Sequence, residues 1–166
     1  MYDMNSKKIF LILENIRSLH NVGAIFRSAE ACRVFCICLI GATGIIKPEV
    51  LNPKLSKTSL GTEKSVSWKH FWTIDEALRD LPKNTDIIAL EQTKNSQNIF
   101  LDLKSLILNP NIALIVGNEV SGVSKKALEK ASGVVNIPML GKHNSLNVSN
   151  ATTVALYQII STFCIC

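Results

Sequence analysis

Small polar residues crowd the start of one helical stretch near the C-terminal end of the sequence. In "KHNSLNVSNATTVALYQI", residues 142–159, five of them fall within seven positions: Asn144, Ser145, Asn147, Ser149 and Asn150. One asparagine or serine is enough to cap a helix, by accepting a hydrogen bond from its first turn. The others carry amides and hydroxyls that can donate and accept hydrogen bonds, which is chemistry that a polar ligand could use.

A second stretch, "NVGAIFRSAEA", places an arginine on a predicted helix. Its apolar residues recur with the helical period and predict a helix over residues 21–33. Asn21 stands at the expected N-cap of this helix. Arg27 lies away from the apolar face, so it is either a solvated helix arginine or a functional group.

A third stretch, "IALIVGNEVSGVS", leads from a buried strand into a loop that contains two glycines. Gly117 and Gly122 allow the backbone to approach a ligand closely or to take positive φ. The pattern is neither GxGxxG nor a Walker sequence, which disfavours classical dinucleotide and nucleoside triphosphate sites. Glu119, in the same loop, is either an ordinary surface carboxylate or part of a site.

Short apolar runs alternate with helical periods along the chain. Strands are predicted at residues 9–13, 35–40, 86–90, 111–116 and 134–137, and helices at residues 21–33, 75–81, 124–130 and 145–161. This alternation, with strands apolar throughout, predicts an α/β fold with a mostly parallel sheet flanked by helices. Ligands of such sheets bind at the carboxyl ends of the strands, so the turns after Leu90, Val116 and Ile137 are the expected site.

The composition fits one globular domain over residues 1–166, because 47% of the residues are hydrophobic and 19% are charged. No run approaches the roughly 18 apolar residues of a membrane span. Five cysteines without a secretory segment favour free thiols in a reducing cytoplasm. Alternation puts Cys36 and Cys38 on one strand face, and no CxxC spacing predicts a metal site.

The formal net charge is +5, and much of the excess lies between residues 47 and 70. That segment contains five lysines, Lys47, Lys54, Lys57, Lys64 and Lys69, against two glutamates. A local positive patch of this kind suits a polyanionic partner, nucleic acid foremost, although a solvated lysine-rich loop has the same pattern.

Taken together and in this order, the three stretches resemble the motifs of the SpoU (TrmH-like) branch of the SPOUT RNA methyltransferases. The resemblance runs through nearly the whole chain. It implies a SPOUT fold with a C-terminal deep trefoil knot and transfer of a methyl group from S-adenosylmethionine to a ribose 2′-hydroxyl of tRNA or rRNA. A non-catalytic RNA-binding module with a vestigial donor site is the alternative.

The resemblance also implies roles for nine residues, which match motif positions of the family. The implied catalytic residues are Arg27, Asn21, Glu119, Ser145 and Asn147, and the implied donor-binding residues are Leu90, Gly117, Ile137 and Leu146. Arg27 is expected to position the hydroxyl with Glu119 orienting it, because an arginine side chain stays protonated and is a poor general base. The proton is then expected to go to phosphate or water.

Members of the family work as homodimers through the knot region, with residues of both subunits at one site. The predicted C-terminal helix fits this implication, because apolar residues stand on two of its sides and need two covers. The lysine-rich segment is the expected RNA-contact surface. The sequence departs from the family at Arg33, where a glycine that would end the helix is common.

Overall fold

The computed structural model describes residues 7–164, and side chains up to residue 162. Seven parallel strands form one sheet with the order β5-β2-β1-β8-β6-β9-β7, and two short strands form a separate hairpin. The strands are β1 (Lys8–Glu14), β2 (Cys36–Ile40), β3 (Ile45–Lys47), β4 (Val50–Leu51), β5 (Trp68–Phe71), β6 (Thr85–Leu90), β7 (Gln97–Asn98), β8 (Asn111–Val116) and β9 (Gly133–Asn136).

Six helices accompany the strands within the described residues. They are α1 (Leu19–Ala31), α2 (Ser56–Ser59), α3 (Ile74–Asp80), α4 (Ile99–Leu106), α5 (Lys125–Lys130) and α6 (Val148–Cys164), with two 3₁₀ turns at Pro53–Leu55 and Thr62–Lys64. The predicted α/β fold with a mostly parallel sheet is therefore confirmed. The knot implied by the family resemblance stays a prediction.

Two apolar clusters hold the layers together, one on each face of the sheet. Alternate residues of β1 divide between them: Leu11 packs with α1, α4 and α6 on one face, and Ile12 packs with α3 and α5 on the other. Cys36 and Cys38 share this second face, as their spacing predicts, and both are buried free thiols. A strand covered on both faces must be apolar at every position, which explains the continuous runs of β1, β2 and β8.

The first helix begins two residues before the predicted position, and its cap is a different residue. Ser18, not Asn21, is the N-cap, and its side chain accepts a hydrogen bond from the Asn21 backbone N–H. Asn21 lies inside the first turn and is buried, which frees its amide for contacts with other elements. Arg33, just beyond the helix, has φ of +51°, so the position where the family has glycine does require a left-handed backbone.

The last helix begins at Val148, three residues after the predicted start at Ser145. The Asn147 side chain accepts a hydrogen bond from the Ser149 backbone N–H at 2.9 Å and caps the helix. Helix α6 packs against α1 and α4 and buries Ala155, Leu156 and Ile159, whereas Ala151, Val154 and Ile160 of its two apolar stripes are only partly buried. A second subunit as a further cover for this helix therefore stays a prediction. The Phe163 side chain lies outside the described ones.

Elements missed by the sequence reading are short or lie at an edge. They are α2 with the two 3₁₀ turns beside it, α4, the edge strands β5 and β7, and the β3–β4 hairpin within the long loop after β2. The start of α4 is marked by Asn98, whose side chain accepts a hydrogen bond from the Phe100 N–H. Two exposed apolar residues on α4, Phe100 and Leu101, hide its amphipathic pattern.

Helix α2 packs against α1 at a glycine. A Cβ added to Gly23 would stand 2.8 Å from the Thr58 Cβ and 3.1 Å from the Leu55 carbonyl oxygen. Both contacts are closer than side chains accept, so glycine at this position lets the α2 backbone lie directly on α1. Leu55, almost fully buried, anchors the same segment in the core. The lysine-rich segment is thereby attached to the helix that carries Arg27.

Within residues 7–164, no helix is long and apolar enough to cross a membrane. Over the same residues, no group of three or more histidine, cysteine, aspartate or glutamate side chains is placed to hold a metal ion.

Candidate active site

A cleft of about 850 Å³ opens at the carboxyl edge of the sheet, where β6 and β8 end. Its walls come from three segments: the turn after Leu90, the loop that follows Val116, and residues 144–151 at the start of α6. This is the place that the parallel sheet predicts for a ligand, because strand ends meet there and their loops enclose space. The cleft is therefore the candidate active site.

One end of the cleft narrows into a small apolar recess of about 130 Å³. Leu90, Ile137, Met139 and Leu146 line this recess together with polar groups at its rim. Gly117 lines the wider part. All four residues expected to hold the methyl donor thus line the cleft or the recess, which share Leu90 and Leu146, and their contact with a donor stays a prediction.

The loop after β8 owes its shape to an asparagine. The Asn118 side-chain oxygen accepts hydrogen bonds from the backbone N–H groups of Val120 at 2.8 Å and Ser121 at 3.1 Å. Its side-chain nitrogen donates to the Asn15 carbonyl at 2.7 Å, which ties this loop to the end of β1. Asn118 therefore folds the cleft wall, a role that its position beside Gly117 did not reveal.

The two positions Gly117 and Gly122 of this loop require glycine for different reasons. Gly122 has φ of +69°, which favours glycine strongly. Gly117 does not have positive φ, but a Cβ there would collide with the backbone of Gly122 and Val123. The absence of a side chain at Gly117 therefore lets the loop pack against its own backbone. A close approach of this backbone to a ligand stays a prediction.

A carboxylate that the sequence pattern does not mark as functional also holds this loop in place. Glu91, one residue beyond β6, accepts hydrogen bonds from the backbone N–H groups of Val123 at 2.7 Å and Gln92 at 2.8 Å. It borders both parts of the cleft. A polar residue directly after a buried strand is the signal available in the sequence, but Val123, which ties Glu91 to the loop, lies 32 positions away.

Three predicted site residues, one from each motif, form a continuous chain of hydrogen bonds. The Asn147 side-chain nitrogen donates to the Asn21 side-chain oxygen at 3.0 Å. The Asn21 nitrogen donates in turn to a Glu119 carboxylate oxygen at 3.0 Å. The structure thus brings α1, the loop after β8 and the start of α6 together through side chains separated by about a hundred positions in sequence.

Glu119 is the acceptor at the end of this chain. Its carboxylate also accepts the backbone N–H groups of Arg17 at 3.1 Å and Ser18 at 3.2 Å. Burial by itself raises the pKa of Glu119, but the hydrogen bonds from Asn21, Arg17 and Ser18 outweigh burial and lower the pKa below its usual value. Glu119 is therefore ionised at neutral pH and serves as a fixed acceptor.

The expected pairing of Glu119 with Arg27 is wrong within a single chain. No ion pair or hydrogen bond joins these residues in the described part of the protein, and Glu119 is already occupied by the start of α1. The Arg27 side chain is exposed and borders two other spaces. One is a pocket with His20, Lys54 and Lys57, and the other is a groove between α1 and α6.

Ser145 and Asn147 both line the cleft, but they differ in their bonding. Asn147 is held from two sides, since its oxygen also accepts the Ser149 hydroxyl at 2.6 Å. Ser145 is exposed, and among the described residues its hydroxyl has no partner. Four of the five expected catalytic residues therefore lie at or next to the cleft, and Arg27 does not line it.

Comparison with known proteins identifies relatives of this chain. A model of the SpoU rRNA Methylase family matches residues 8–157. The 23S rRNA (guanosine-2′-O-)-methyltransferase RlmB of Xanthomonas axonopodis is 30% identical over 159 residues, which are 93% of this chain and 59% of that protein. The chain thus spans less than two thirds of the length of the curated relatives it matches first.

Solved structures give the same result for the fold. The TrmH/SpoU tRNA modifying enzyme of A. aeolicus superposes with a TM-score of 0.77 at 28% identity, covering 96% of this chain and 78% of that one. An AdoMet-bound rRNA methyltransferase from Sinorhizobium meliloti gives a TM-score of 0.78 at 21% identity, covering 93% of this chain and 56% of that one. At 21% identity, the second likeness establishes a common fold alone.

Proposed function

The chain belongs to the SpoU rRNA methylase family, and we propose that it transfers the methyl group of S-adenosylmethionine to a ribose 2′-hydroxyl of RNA. The observation that carries the proposal is the chain of hydrogen bonds from Asn147 through Asn21 to Glu119 at the edge of the cleft. It unites the three motifs on which the family resemblance rests. The relatives named as RNA ribose methyltransferases support the same reaction.

The cleft fits S-adenosylmethionine in size and in the chemistry of its walls. Its volume of about 850 Å³ lies within the range of small-molecule sites. The apolar recess between Leu90, Ile137 and Leu146 suits a flat adenine ring, and polar groups line the wider part. The carboxylates of Glu91 and Glu119 border the cleft and favour a ligand that carries positive charge.

The bound donor supplies an electrophilic methyl group, and the protein must align a weak nucleophile with it. Holding the ribose hydroxyl in line with the methyl group is the main contribution that this chain can make. Arg27 donates hydrogen bonds and stabilises the developing negative charge on the hydroxyl oxygen, while the proton leaves to phosphate or water. Asn147 and Ser145 form the wall of the cleft beside the methyl group.

Arg27 can take this role if the site is completed by a second copy of the chain. In its own chain Arg27 faces away from the cleft, towards the groove between α1 and α6. Tyr157 in that groove is 55% exposed, which leaves apolar surface on α6 for a partner. We therefore propose a homodimer in which Arg27 of one subunit reaches the donor cleft of the other.

Mixing two inactive variants tests this arrangement. Arg27→Ala removes the guanidinium, and Ala151→Phe fills the cleft of its own chain, since Ala151 lines it. Random pairing gives one intact site in each mixed dimer, so activity should return to about a quarter of that of the wild type. Calorimetry with S-adenosylmethionine checks that only Ala151→Phe has lost the donor. Mixed dimers without activity would place Arg27 at the cleft of its own chain.

A methyl-transfer assay tests the proposed function itself. Purified protein with labelled S-adenosylmethionine should label total tRNA or rRNA, and the product should resist alkaline hydrolysis at one phosphodiester, because 2′-O-methylation removes the attacking hydroxyl. The alternative is a non-catalytic RNA-binding module. It predicts RNA binding without donor binding in calorimetry and without transfer.

The RNA substrate is proposed as tRNA or rRNA, since relatives of both kinds are similar to this chain. We also propose that residues 1–166 act as one domain with a C-terminal trefoil knot, and that the protein works in the cytoplasm on cellular RNA. Mapping 2′-O-methyl groups in a strain without the protein identifies the nucleotide. An unchanged map would contradict the enzymatic proposal.

A further inference from the structure

A pocket of about 550 Å³ lies next to Arg27, outside the donor cleft. Its lining is formed by His20 and Arg27 of α1 and by Lys54, Lys57, Thr58 and Leu60 of the segment that packs on α1. Three of these six residues are permanent cations at neutral pH, one is an imidazole, and none is acidic. This pocket, called the basic pocket below, is a concentration of positive charge.

The cations of the basic pocket have no side-chain partners among the described residues. Arg27, Lys54 and Lys57 form neither ion pairs nor side-chain hydrogen bonds in the described part of the chain, and neither does His20. Two lysines outside the pocket differ in this respect, since Lys69 pairs with Asp80 and Lys130 with Asp75. Like charges that share a pocket repel one another, so an anion bound there would relieve the repulsion.

The fold holds these groups together through Gly23. His20, Gly23 and Arg27 follow one another on the same face of α1, because residues three, four and seven positions apart share a helix face. Gly23 is where the backbone of α2 lies on α1. That contact sets Lys54 and Lys57 beside the two α1 side chains, so the pocket is built by packing and does not depend on loose surface lysines meeting by chance.

Two acidic residues of the neighbouring segments, Glu63 and Glu30, do not line the pocket. Glu63 accepts a hydrogen bond from the Ser59 hydroxyl. Glu30 borders the groove on the other side of Arg27 and not the pocket. The positive charge of the basic pocket is therefore directed to solvent and to whatever is bound beside Arg27.

We propose that the basic pocket binds a phosphodiester of the RNA, next to the ribose that is methylated. This inference rests on the proposed function. The 2′-hydroxyl sits on the ribose carbon adjacent to the one that carries the 3′-phosphate, so a hydroxyl presented to Arg27 brings a backbone phosphate with it. Lys54 and Lys57 then fix the register of the strand, as phosphate contacts do in other nucleic-acid complexes.

A pair of matched double variants tests the proposal in the full chain. Lys54→Ala with Lys57→Ala removes two cations from the pocket. Lys83→Ala with Lys104→Ala removes two exposed cations near the amino ends of the strands, where neither the cleft nor the pocket lies. The probes are a labelled single-stranded oligoribonucleotide of about 15 nucleotides and its DNA counterpart. Binding is measured by fluorescence anisotropy over a range of salt concentrations.

The pocket variant should bind both probes at least about tenfold more weakly than the wild type, and its salt slope should fall by about 1.4, or 0.7 for each lost phosphate contact. The other double variant should stay within about twofold. The double variant Lys54→Arg with Lys57→Arg keeps both positive charges and should bind the probes as the wild type does. Calorimetry with S-adenosylmethionine should give the same affinity in all of these proteins.

Equal binding by the two double variants would overturn the proposal, and so would a loss of affinity with an unchanged salt slope. A pocket variant that changes the oligomeric state in sedimentation would assign the lysines to a subunit contact instead. If Lys54→Ala with Lys57→Ala does not fold, Lys54→Gln with Lys57→Gln keeps most of each side chain and answers the same question. Wild-type protein that binds RNA but never methylates it would refute the proposed function and leave this test intact.

Discussion

The cleft and the basic pocket both adjoin α1, the cleft through Asn21 and the pocket through His20 and Arg27, but their polar groups differ in hydrogen bonding. At the cleft, Asn147, Asn21 and Glu119 bond to one another and to backbone N–H groups. At the pocket, Arg27 and the two lysines bond to nothing in the described chain. Polar groups that satisfy one another maintain a shape, whereas unpaired cations on a fixed frame are available to a ligand.

This difference predicts how the two regions respond to mutation. Removing a bonded group at the cleft leaves a donor or acceptor without its partner, which lowers the free energy of unfolding. Removing an unpaired cation at the pocket leaves the folded protein unchanged and weakens only what the cation binds. Substitutions at the cleft should therefore lower the free energy of unfolding, whereas substitutions at the basic pocket should weaken only ligand binding.

The largest effect is expected for Arg27→Ala. Loss of a group that stabilises developing charge should lower the rate of methyl transfer by about 100- to 1,000-fold. The free energy of unfolding should change by less than about 0.5 kcal/mol, because the side chain is exposed and unpaired. Single-turnover transfer and urea unfolding measure the two quantities. Near-normal transfer by the folded variant would remove Arg27 from the catalytic residues.

Asn21→Ala is expected to have a smaller effect, which should appear both in stability and in the affinity for S-adenosylmethionine. The substitution breaks both side-chain hydrogen bonds of a buried residue and leaves Asn147 and Glu119 each short of one partner. The free energy of unfolding should fall by about 2 kcal/mol, and the affinity for S-adenosylmethionine should fall with it. Asn150→Ala is the matched control, since Asn150 is exposed and has no partner in the described chain. Equal stability of the two variants would contradict the role of the hydrogen-bond chain.

The pH dependence of Glu119→Gln gives a further test of the cleft side. Because the hydrogen bonds from Asn21, Arg17 and Ser18 lower the pKa of Glu119 in the folded protein below its ordinary value, the ionised carboxylate stabilises the folded state above that ordinary pKa. This contribution is lost as the pH falls through the folded pKa. At pH 7 the variant should therefore be less stable than the wild type, by less than about 1 kcal/mol for so exposed a group. The two proteins should be equally stable at a pH low enough to protonate Glu119 in both the folded and the unfolded state. Urea unfolding at several pH values measures the difference, and a difference that grows towards low pH would contradict the assignment.

The smallest effect is expected for Lys69→Ala, within the lysine-rich segment itself. Lys69 is held by Asp80 at 2.6 Å, so it is not among the unpaired cations. Its loss should cost between about 0 and 1 kcal/mol of stability, as for other exposed ion pairs. RNA affinity should change by less than about twofold. If Lys69→Ala weakened RNA binding as much as the pocket variant, pairing would not distinguish the two kinds of lysine.

Much of the fold could be predicted from local sequence. The strand at residues 111–116 was predicted with its observed bounds, because a buried parallel strand is apolar throughout and is bounded by polar or glycine residues. Edge strands such as β5 lack that signal, since only part of their surface is buried. Helix α4 was missed because exposed apolar side chains blur its period.

The identity of the cleft residues could also be predicted, but their partners could not. The sequence pattern places Asn21 at the cap of α1, but the helix begins two residues earlier, Ser18 is the cap, and the Asn21 amide is bonded to Asn147. Glu119 is expected to orient Arg27, but within one chain its carboxylate accepts hydrogen bonds from the start of α1 instead.

The sequence by itself determined the parallel sheet, the three motifs and the edge at which their residues gather, because these depend on local periodicity and on residue type. Only the tertiary structure decided which polar groups satisfy one another and which remain unpaired. Hydrogen bonds between residues about a hundred positions apart depend on ångström-scale placement of whole elements. The single missing Cβ of Gly23, which lets α2 lie on α1, shows how one such placement brings Lys54 and Lys57 to Arg27.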